Sequence, residues 1–387
     1  MNNRPFLAAF VGVFVLLVAA RSVTSQCPVP ALTSGLQSPG KIIFSTKGSL
    51  LVTESGTGVN TGRISIIDPN NGTRRTLITG LPAGFSPPNN DLAGPSGLAM
   101  HGRTLYVEIS LGDAVIAGPL PNSVVPNPNP SSPIFSSVLA IHFSASVEMK
   151  TNGFTLSAAD QVALKTGATV DLSNGGGDKI TVELVADFPD YLPEPRPGLP
   201  NAVRQSNPFG LALDGDHLYV AEASGNTVRS VDLQTGNFSV LTNFAPLPNN
   251  RGFGPPVVEA VPDSIHLVGN QLLVTLLSGF PFPLGNAQVR AVDPATGNST
   301  PFITGLTSAI DVLPDGGGGF FTLEYSADML AGLPGRLSHL SSPTSAPTVL
   351  SSCLITPTSM ALDDRKGEMY ITQIGTGQIV RLGGLIH

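Results

Sequence analysis

The sequence is poor in charged residues and has no cluster of basic ones. Asp, Glu, Lys and Arg make up only 12% of the 387 residues, whereas hydrophobic residues reach 41%. A chain with this balance can bury a large core, which excludes an intrinsically disordered protein. Without Arg4 and Arg21 in the first segment, 18 basic residues face 27 acidic ones, a net charge of −9. The sequence therefore argues against a nucleic-acid partner and against an anionic membrane surface.

Signatures of common catalytic and metal sites are also missing. No Gly-x-Ser-x-Gly motif is present, and no glycine-rich loop has the spacing that binds phosphate. The six histidines lack the spacing of zinc ligands. The sequence thus identifies no catalytic residue, and it predicts no bound metal and no cofactor.

Glycine and proline are abundant but follow no triplet repeat. The 43 glycines and 35 prolines are spread along the whole chain. This distribution excludes collagen and a disordered linker, and it is typical of many short strands joined by tight turns.

Residues 1–25 have the pattern of an export signal. Arg4 supplies a basic start, 6–20 is apolar, and the small residues Val23 and Ser25 suit cleavage before Gln26. The apolar run is shorter than the ~20 residues that a spanning helix needs, and no later segment is long and apolar enough. We expect a secreted, extracellular protein without a membrane span after cleavage; a retained anchor is the alternative.

A three-part sequence motif recurs six times. Its first part is a Pro or Thr, small residues and an alternating apolar run, at 39–44, 95–100, 208–213, 262–267, 307–312 and 357–362. Its second part is an apolar strand, at 50–54, 105–108, 218–222, 272–276, 320–324 and 369–373. A third alternating run and, in most copies, a fourth strand follow. Four strands per unit, at a period of about 45–55 residues outside the second copy, are typical of β-propeller blades.

The last copy stops at Leu382, after its third strand, and a matching fourth strand occurs at 32–36. We therefore predict an all-β fold, a six-bladed β-propeller closed by its own N-terminal strand, with 26–387 as a single domain. Closure of this kind removes the open edge between the first and last blades. A β-sandwich with the same strand content would not explain six copies of one sequence motif.

The second copy is longer than the others by an insert at about 144–204. Ser157, Asp160 and Gly167 predict a short helix with an N-cap, a capping box and a glycine stop. A strand around 180–185 and a proline-rich stretch at 189–200 follow. We expect this partly helical insert to lie over one face of the ring, where propellers place ligand sites.

The amino-acid sequence of the third and fourth copies resembles that of the ScyD/ScyE family of exported propellers. The residues that carry the resemblance are the run 206–211 with 218–223, and the run 278–283 with 285–287. The insert residues Asp160, Gln161 and Gly167 are similar to the family's pattern. The resemblance implies a six-bladed fold and an export signal, but no established activity and no catalytic residues. Glu222 stands where the family usually has Asp.

Acidic or amide residues recur near the ends of the second strands, at Glu54, Glu108, Glu222, Glu324 and Gln373. One interpretation is a ring of carboxylates around the channel that binds Ca²⁺ through oxygen ligands. The other is that each side chain accepts backbone N–H bonds in the following turn and fixes the blade geometry. We favour the structural interpretation, because second strands are not innermost and Glu108 is one position out of step.

Three further residues are candidate binding residues. Phe280 and Phe282 alternate with prolines in a loop, where they form either an apolar platform for a ligand or partner, or a cap on the core between blades. Asn207 precedes an innermost strand and can reach the channel mouth, although Pro208 and Phe209 beside it favour a role in shaping the turn.

Cys27 and Cys353 are the only cysteines, and export would place them where a disulfide persists. A bond would attach the N-terminal strand to the ring. It requires the short segment 28–31 to fold back, because the two cysteines otherwise lie at opposite ends of their blades.

Two functions follow from the sequence. The first is a monomeric, non-enzymatic module that binds a small molecule or a protein through one face. The alternative is a Ca²⁺-dependent propeller hydrolase or lyase of the lactonase or esterase type, which would need carboxylates that converge at the channel mouth.

Overall fold

The computed structural model describes residues 26–120, 123–192 and 202–385. The predicted export signal, 1–25, and most of the proline-rich stretch lie outside the described residues.

The chain begins with a short strand, β1 (Ala31–Thr33), and then forms blade after blade. Blade 1 contains β2 (Pro39–Phe44), β3 (Leu50–Glu54), β4 (Gly62–Ile67) and β5 (Arg74–Leu81), each antiparallel to the strand before it. A hairpin of β6 (Gly84–Ser86) and β7 (Asp91–Ala93) leads to blade 2.

Blade 2 carries the extra elements. It begins with β8 (Pro95–His101) and β9 (Thr104–Ile109), and a hairpin of β10 (Val115–Ala117) and β11 (Val124–Pro126) precedes its third strand, β12 (Ser137–Phe143). Next come α1 (Ala145–Lys150), β13 (Phe154–Thr155), α2 (Ala158–Lys165), β14 (Val170–Ser173) and the fourth strand, β15 (Lys179–Asp187). β16 (Tyr191–Leu192) and β17 (Arg204–Gln205) pair in the connection to blade 3.

Blades 3 to 6 are plainer. Blade 3 consists of β18 (Pro208–Asp214), β19 (His217–Glu222), β20 (Thr227–Asp232) and β21 (Phe238–Asn243), followed by a hairpin of β22 (Leu247–Pro248) and β23 (Val257–Val258). Blade 4 consists of β24 (Pro262–Val268), β25 (Gln271–Leu276), β26 (Ala287–Val292) and β27 (Ser299–Leu306). Blade 5 consists of β28 (Ala309–Pro314), β29 (Phe320–Glu324), β30 (Gly335–Leu340) and β31 (Thr348–Leu354). Blade 6 has β32 (Pro357–Asp363), β33 (Glu368–Gln373) and β34 (Gln378–Leu382).

β1 supplies the fourth strand of blade 6. It pairs antiparallel with β34, Ala31 opposite Val380 and Thr33 opposite Ile379, and the Leu36 N–H donates to the Gly377 carbonyl at 2.9 Å. The first strands of neighbouring blades contact each other around the whole circle, including β32 with β2. The prediction of a six-bladed propeller closed by its N-terminal strand is confirmed.

The hydrophobic core lies between the blades rather than within one central cluster. Buried apolar side chains form six clusters, one at each interface between adjacent blades. Each blade can fill two interfaces because side chains alternate between the two faces of its strands. In β33, for example, Tyr370 packs towards blade 1, whereas Ile371 packs towards blade 5.

Antiparallel connections give the ring two distinct faces. We call the loop face the side with the connections between blades and between second and third strands. The turn face carries the short turns between first and second strands, where the glycines Gly215 and Gly269 adopt positive φ, and the turns after third strands. Each first strand therefore runs from the loop face to the turn face.

The prediction that the insert lies over a face of the ring is wrong for its helical part. The predicted helix is present as α2, with the capping box of Ser157 and Asp160. However, β13 pairs in parallel with β5, the outermost strand of blade 1, and Phe154, Leu156 and Leu164 are buried between blades 1 and 2. The helical segment thus fills the outer wedge between two blades. The range 144–204 also includes β15, the fourth strand of blade 2.

Cys27 and Cys353 form a disulfide, with Cα atoms 6.0 Å apart. The segment before β1 leaves blade 6 and crosses to β31, the outermost strand of blade 5, where the Gln26 N–H donates to the Leu350 carbonyl at 2.9 Å. This crossing brings Cys27 to Cys353. The bond therefore connects the N-terminal strand to the neighbouring blade.

Candidate functional site

Exposed apolar side chains are concentrated on the loop face. Among the described residues, sixteen large hydrophobic side chains are exposed, and twelve of them belong to loop-face connections. The twelve are Val59, Phe85, Ile116, Leu120, Phe253, Val257, Phe280, Leu284, Leu330, Leu333, Ile355 and Ile374. Apolar surface concentrated in one region is typical of a binding site, whereas single exposed residues are ordinary.

Phe280 lies at the centre of an aromatic cluster on this face. Its side chain is 62% exposed, and its ring is 5.9 Å from that of Phe282 and 6.5 Å from that of Phe253, both in edge-to-face geometry. Phe280 faces solvent, as expected for an apolar platform. Phe282 is half-buried and packs against it, as expected for a residue that caps the core.

Arg251 holds this aromatic cluster in place. Its guanidinium group donates to the Phe282 carbonyl at 2.9 and 3.1 Å and forms a two-pronged ion pair with Asp328 at 2.7 and 3.1 Å. A planar guanidinium group that makes four such contacts restricts the loop strongly. Three loop-face connections, from blades 3, 4 and 5, are joined in this way.

Asn207 and Glu222 contact each other. The buried Glu222 carboxylate accepts the backbone N–H groups of Asn207 and Gly225, both at 2.6 Å. Asn207 Oδ1 accepts a hydrogen bond from Ser110 Oγ at 2.7 Å. Glu222 therefore fixes the backbone at Asn207, and it is Asn207 that is nearer the surface.

Asn207 lines a loop-face cavity of about 320 Å³. Gly279, next to Phe280, lines the same cavity, as do Arg204 and Glu259, whose side chains form an ion pair at 3.5 Å. The structure thus places Asn207 and the Phe280 loop on one face, and Glu222 beneath them as a support.

Three other members of the acidic row, Glu54, Glu324 and Gln373, have the same supporting contact. Each accepts the backbone N–H of a residue just before its own blade's first strand: Gln37 to Glu54 at 2.5 Å, Thr307 to Glu324 at 2.5 Å, and Ile355 to Gln373. Only Glu222 also binds the turn that follows it. The structural interpretation was therefore right about backbone donors but named the wrong segment for most of them.

Glu108 differs because its one-residue offset turns it to the opposite side of its sheet. It is fully buried beside Gly97 of β8, and neither carboxylate oxygen has a hydrogen-bond partner of good geometry among the described residues. Burial, reinforced by the charge of Glu222, raises the pKa of Glu108 well above its ordinary value.

A polar cluster lines the central channel, and the sequence did not predict it. We call Lys41, His266, Asp311 and Ser359 the channel cluster; they come from the first strands of blades 1, 4, 5 and 6. The fully buried Asp311 carboxylate binds Lys41 Nζ at 3.1 Å, His266 Nε2 at 2.6 Å and Ser359 Oγ at 2.9 Å. It also accepts the Met360 N–H at 3.0 Å. One carboxylate thus joins four blades.

The charges in the channel cluster balance one another. Burial alone would raise the pKa of Asp311, but Lys41 and His266 outweigh it and hold that pKa far below its ordinary value. Burial lowers the pKa of His266, and the Lys41 charge lowers it further, against the opposing effect of Asp311. Asp311 is therefore ionised and His266 is neutral near pH 7.

Among residues 26–120, 123–192 and 202–385, no three His, Cys, Asp or Glu side chains are arranged to hold a metal ion. The acidic row does not form such a cluster. Glu54, Glu222, Glu324 and Gln373 each accept a backbone N–H of their own blade, and Glu108 is buried beside β8. No helix of the described chain is long and apolar enough to cross a membrane.

Comparison with solved structures identifies the fold. The chain is similar to the PQQ-bound form of aldose sugar dehydrogenase from Streptomyces coelicolor, with a TM-score of 0.52 and 13% identity over 94% of this chain and 99% of that one. A chain of the nidogen/laminin complex is similar with a TM-score of 0.44 and 10% identity, over 84% and 87% of the two chains. No family model and no curated protein matches the sequence. At such identities the likeness supports the propeller fold alone.

Proposed function

We propose that this protein is an exported, monomeric binding module that engages a protein partner or a small molecule through its loop face. The observation that carries the proposal is the concentration of exposed large apolar side chains there, twelve of sixteen among the described residues. Aromatic residues in rigid surroundings are the usual centres of binding energy in interfaces.

The turn face provides a contrast within the same ring. Its turns between first and second strands contain only glycine, charged or other polar residues, at 45–49, 102–103, 215–216, 269–270, 315–319 and 364–367. The loop face is also pre-organised, because Arg251 fixes the Phe280 loop before any partner binds. Pre-organisation reduces the entropy cost of association.

Retention of partners from the exported fraction of the source cells tests the proposal. The protein is immobilised through its turn face, and the wild type is compared with a Phe253→Ser, Phe280→Ser double variant. Both side chains are more than half exposed, at 51% and 62%, so folding stability should change by only about 0.5 kcal/mol at each site. We expect the double variant to lose most of the retained material.

The matched control replaces two apolar residues that are equally exposed but lie on the rim, Val162→Ser in α2 and Val240→Ser in β21. This variant should retain as much as the wild type. Equal losses in both double variants would show that binding is non-specific adhesion, and the proposal would then be wrong.

Export and family membership are part of the same proposal. The segment 1–25 would direct export and be cleaved before Gln26, and the disulfide between Cys27 and Cys353 supports an oxidising compartment. The runs 206–211 and 278–283 support membership of the ScyD/ScyE family. The N-terminal residue of protein recovered from the culture medium tests the cleavage site.

The Ca²⁺-dependent hydrolase or lyase is not favoured by any observation on the described residues. Three of the carboxylates that it would use, Glu54, Glu222 and Glu324, are engaged in supporting contacts within single blades. We therefore propose no metal cofactor, and protein purified without chelator should contain no Ca²⁺ and gain no thermal stability when Ca²⁺ is added.

A further inference from the structure

The turn-face mouth of the central channel opens into a cavity of about 450 Å³. Its walls are mostly apolar and come from the first strands of blades 1, 5 and 6, with the half-buried Ile43, Phe44, Leu313 and Leu362 among them. A cavity of this size and character suits a small organic molecule. It lies at the opposite end of the channel from the loop face, so the proposed function does not use it.

His266 lines this cavity, and 21% of its side chain is exposed. Its Nε2 lies 2.6 Å from Asp311 Oδ1. Because an ionised carboxylate can only accept hydrogen bonds, Nε2 carries the proton of the neutral ring, and Nδ1 keeps its lone pair. Among the described residues, no donor hydrogen-bonds to Nδ1. The half-buried His266, held by the buried Asp311, thus presents an unused acceptor beside the cavity.

The orientation of the ring is fixed from behind. Asp311 is itself held by Lys41 Nζ, Ser359 Oγ and the Met360 N–H, so it cannot swing away from His266. Lys41 and Asp311 are the charged groups that act on the ring, and burial together with Lys41 favours the neutral ring by lowering the pKa of His266. The acceptor is therefore available near pH 7.

We propose that the channel mouth binds a small, apolar alcohol or phenol, whose hydroxyl group donates a hydrogen bond to Nδ1 of His266 while its hydrocarbon body fills the cavity. The Nδ1 acceptor selects a ligand with a donor. Asp315 and Asp364, which also line the cavity, disfavour an anionic ligand. The apolar walls disfavour a sugar, because its many hydroxyl groups would lose their partners.

Binding of 2-naphthol and of 2-methoxynaphthalene, followed by ligand fluorescence, tests this assignment. The two probes share a hydrocarbon body, but only 2-naphthol has a hydroxyl donor. We expect saturable binding of 2-naphthol, and roughly three- to tenfold weaker binding of the methoxy compound, the usual effect of one hydrogen bond. Equal affinity for both probes, or no saturable binding of 2-naphthol, would overturn the proposal.

Variants locate the site. His266→Phe should bind both probes with the same weaker affinity, and Leu313→Trp, which fills the cavity, should bind neither. The loop-face variant Phe253→Ser, Phe280→Ser should bind 2-naphthol as the wild type does, so failure of this proposal is distinguishable from failure of the proposed function. Unchanged 2-naphthol binding in Leu313→Trp would place the probe elsewhere and refute the assignment.

A measurement on the unaltered protein protects the test against a variant that does not fold. In ¹⁵N-labelled wild type, 2-naphthol should shift the Nδ1 resonance of His266 much more than its Nε2 resonance. If binding saturates while the Nδ1 resonance stays in place, His266 is not the acceptor.

Discussion

Glu108 and Glu222 occupy the second strands of neighbouring blades and point to opposite sides of their sheets. Glu222 accepts two backbone N–H groups, whereas neither oxygen of the buried Glu108 has a hydrogen-bond partner of good geometry among the described residues. The same residue type thus stabilises blade 3, through Glu222, and destabilises blade 2, through Glu108. The difference follows from a single step of register, since Ile109 rather than Glu108 lies opposite the proline that begins its blade.

We predict that Glu108→Gln stabilises the protein at neutral pH. The raised pKa means that the folded state binds a proton at Glu108 more tightly than the unfolded state does, so the contribution of Glu108 to stability falls as pH rises above about 4.5. Gln resembles the protonated carboxyl group and does not ionise. The free energy of unfolding of the variant, measured by urea unfolding, should equal that of the wild type near pH 4 and exceed it by roughly 1–3 kcal/mol at pH 8.

Glu222→Gln is the matched control. It should lose roughly 1–3 kcal/mol at pH 7, because one amide oxygen cannot replace both carboxylate oxygens in binding the N–H groups of Asn207 and Gly225. A loss of the same size in Glu108→Gln at pH 8 would show that the ionised Glu108 stabilises the folded protein, and the prediction would then be wrong.

At the scale of elements, Asp311 joins first strands that are far apart in sequence. Its partners lie in β2, β24 and β32, and the sequence separation from Lys41 is 270 residues. We predict that Asp311→Asn destabilises the protein by about 3–5 kcal/mol, because Lys41 would remain buried beside a neutral group. The double variant Lys41→Met, Asp311→Leu should recover most of that loss in thermal unfolding.

The pH dependence of the Asp311 contribution has the opposite sign to that of Glu108. Its pKa is lowered on folding, so its stabilising effect is present above the ordinary pKa near 3.8 and is lost as pH falls below it.

If the double variant Lys41→Met, Asp311→Leu is no more stable than Asp311→Asn, Asp311 is not the group that neutralises Lys41.

The sequence predicts repeated elements well and contacts between distant elements poorly. The blade strands, the capped helix α2 and the role of 32–36 follow from local patterns such as alternation, capping and turn residues. The channel cluster could not be read in the same way, since its members come from four separate repeats. A signal was present, however, because Lys41, His266 and Asp311 are polar residues in strands predicted to be innermost. The position of the insert was also missed, because a parallel pairing with β5 leaves no mark in the local sequence.

The ring of the whole molecule is closed where β1, near the start of the described chain, pairs with β34, near its end. The disulfide attaches the N-terminal segment to β31, one blade away from the pairing of β1 with β34. We predict that Cys353→Ser lowers stability by about 2–5 kcal/mol, as for the removal of a native disulfide that closes a long loop. In amide hydrogen exchange, protection should fall mainly in β1 and β34. Unchanged protection there would show that β1 stays paired without the disulfide.

The exposed apolar side chains lie mainly on the loop face, whereas the turns between first and second strands on the turn face are polar. Site-specific photo-crosslinking tests whether partners bind to the loop face. A photoreactive phenylalanine analogue is placed at Phe280, and in separate proteins at Lys47 on the turn face or Val240 on the rim. After irradiation in the exported fraction, we predict discrete adducts from position 280 and none from positions 47 and 240. Adducts from 47 or 240 with none from 280 would contradict the account.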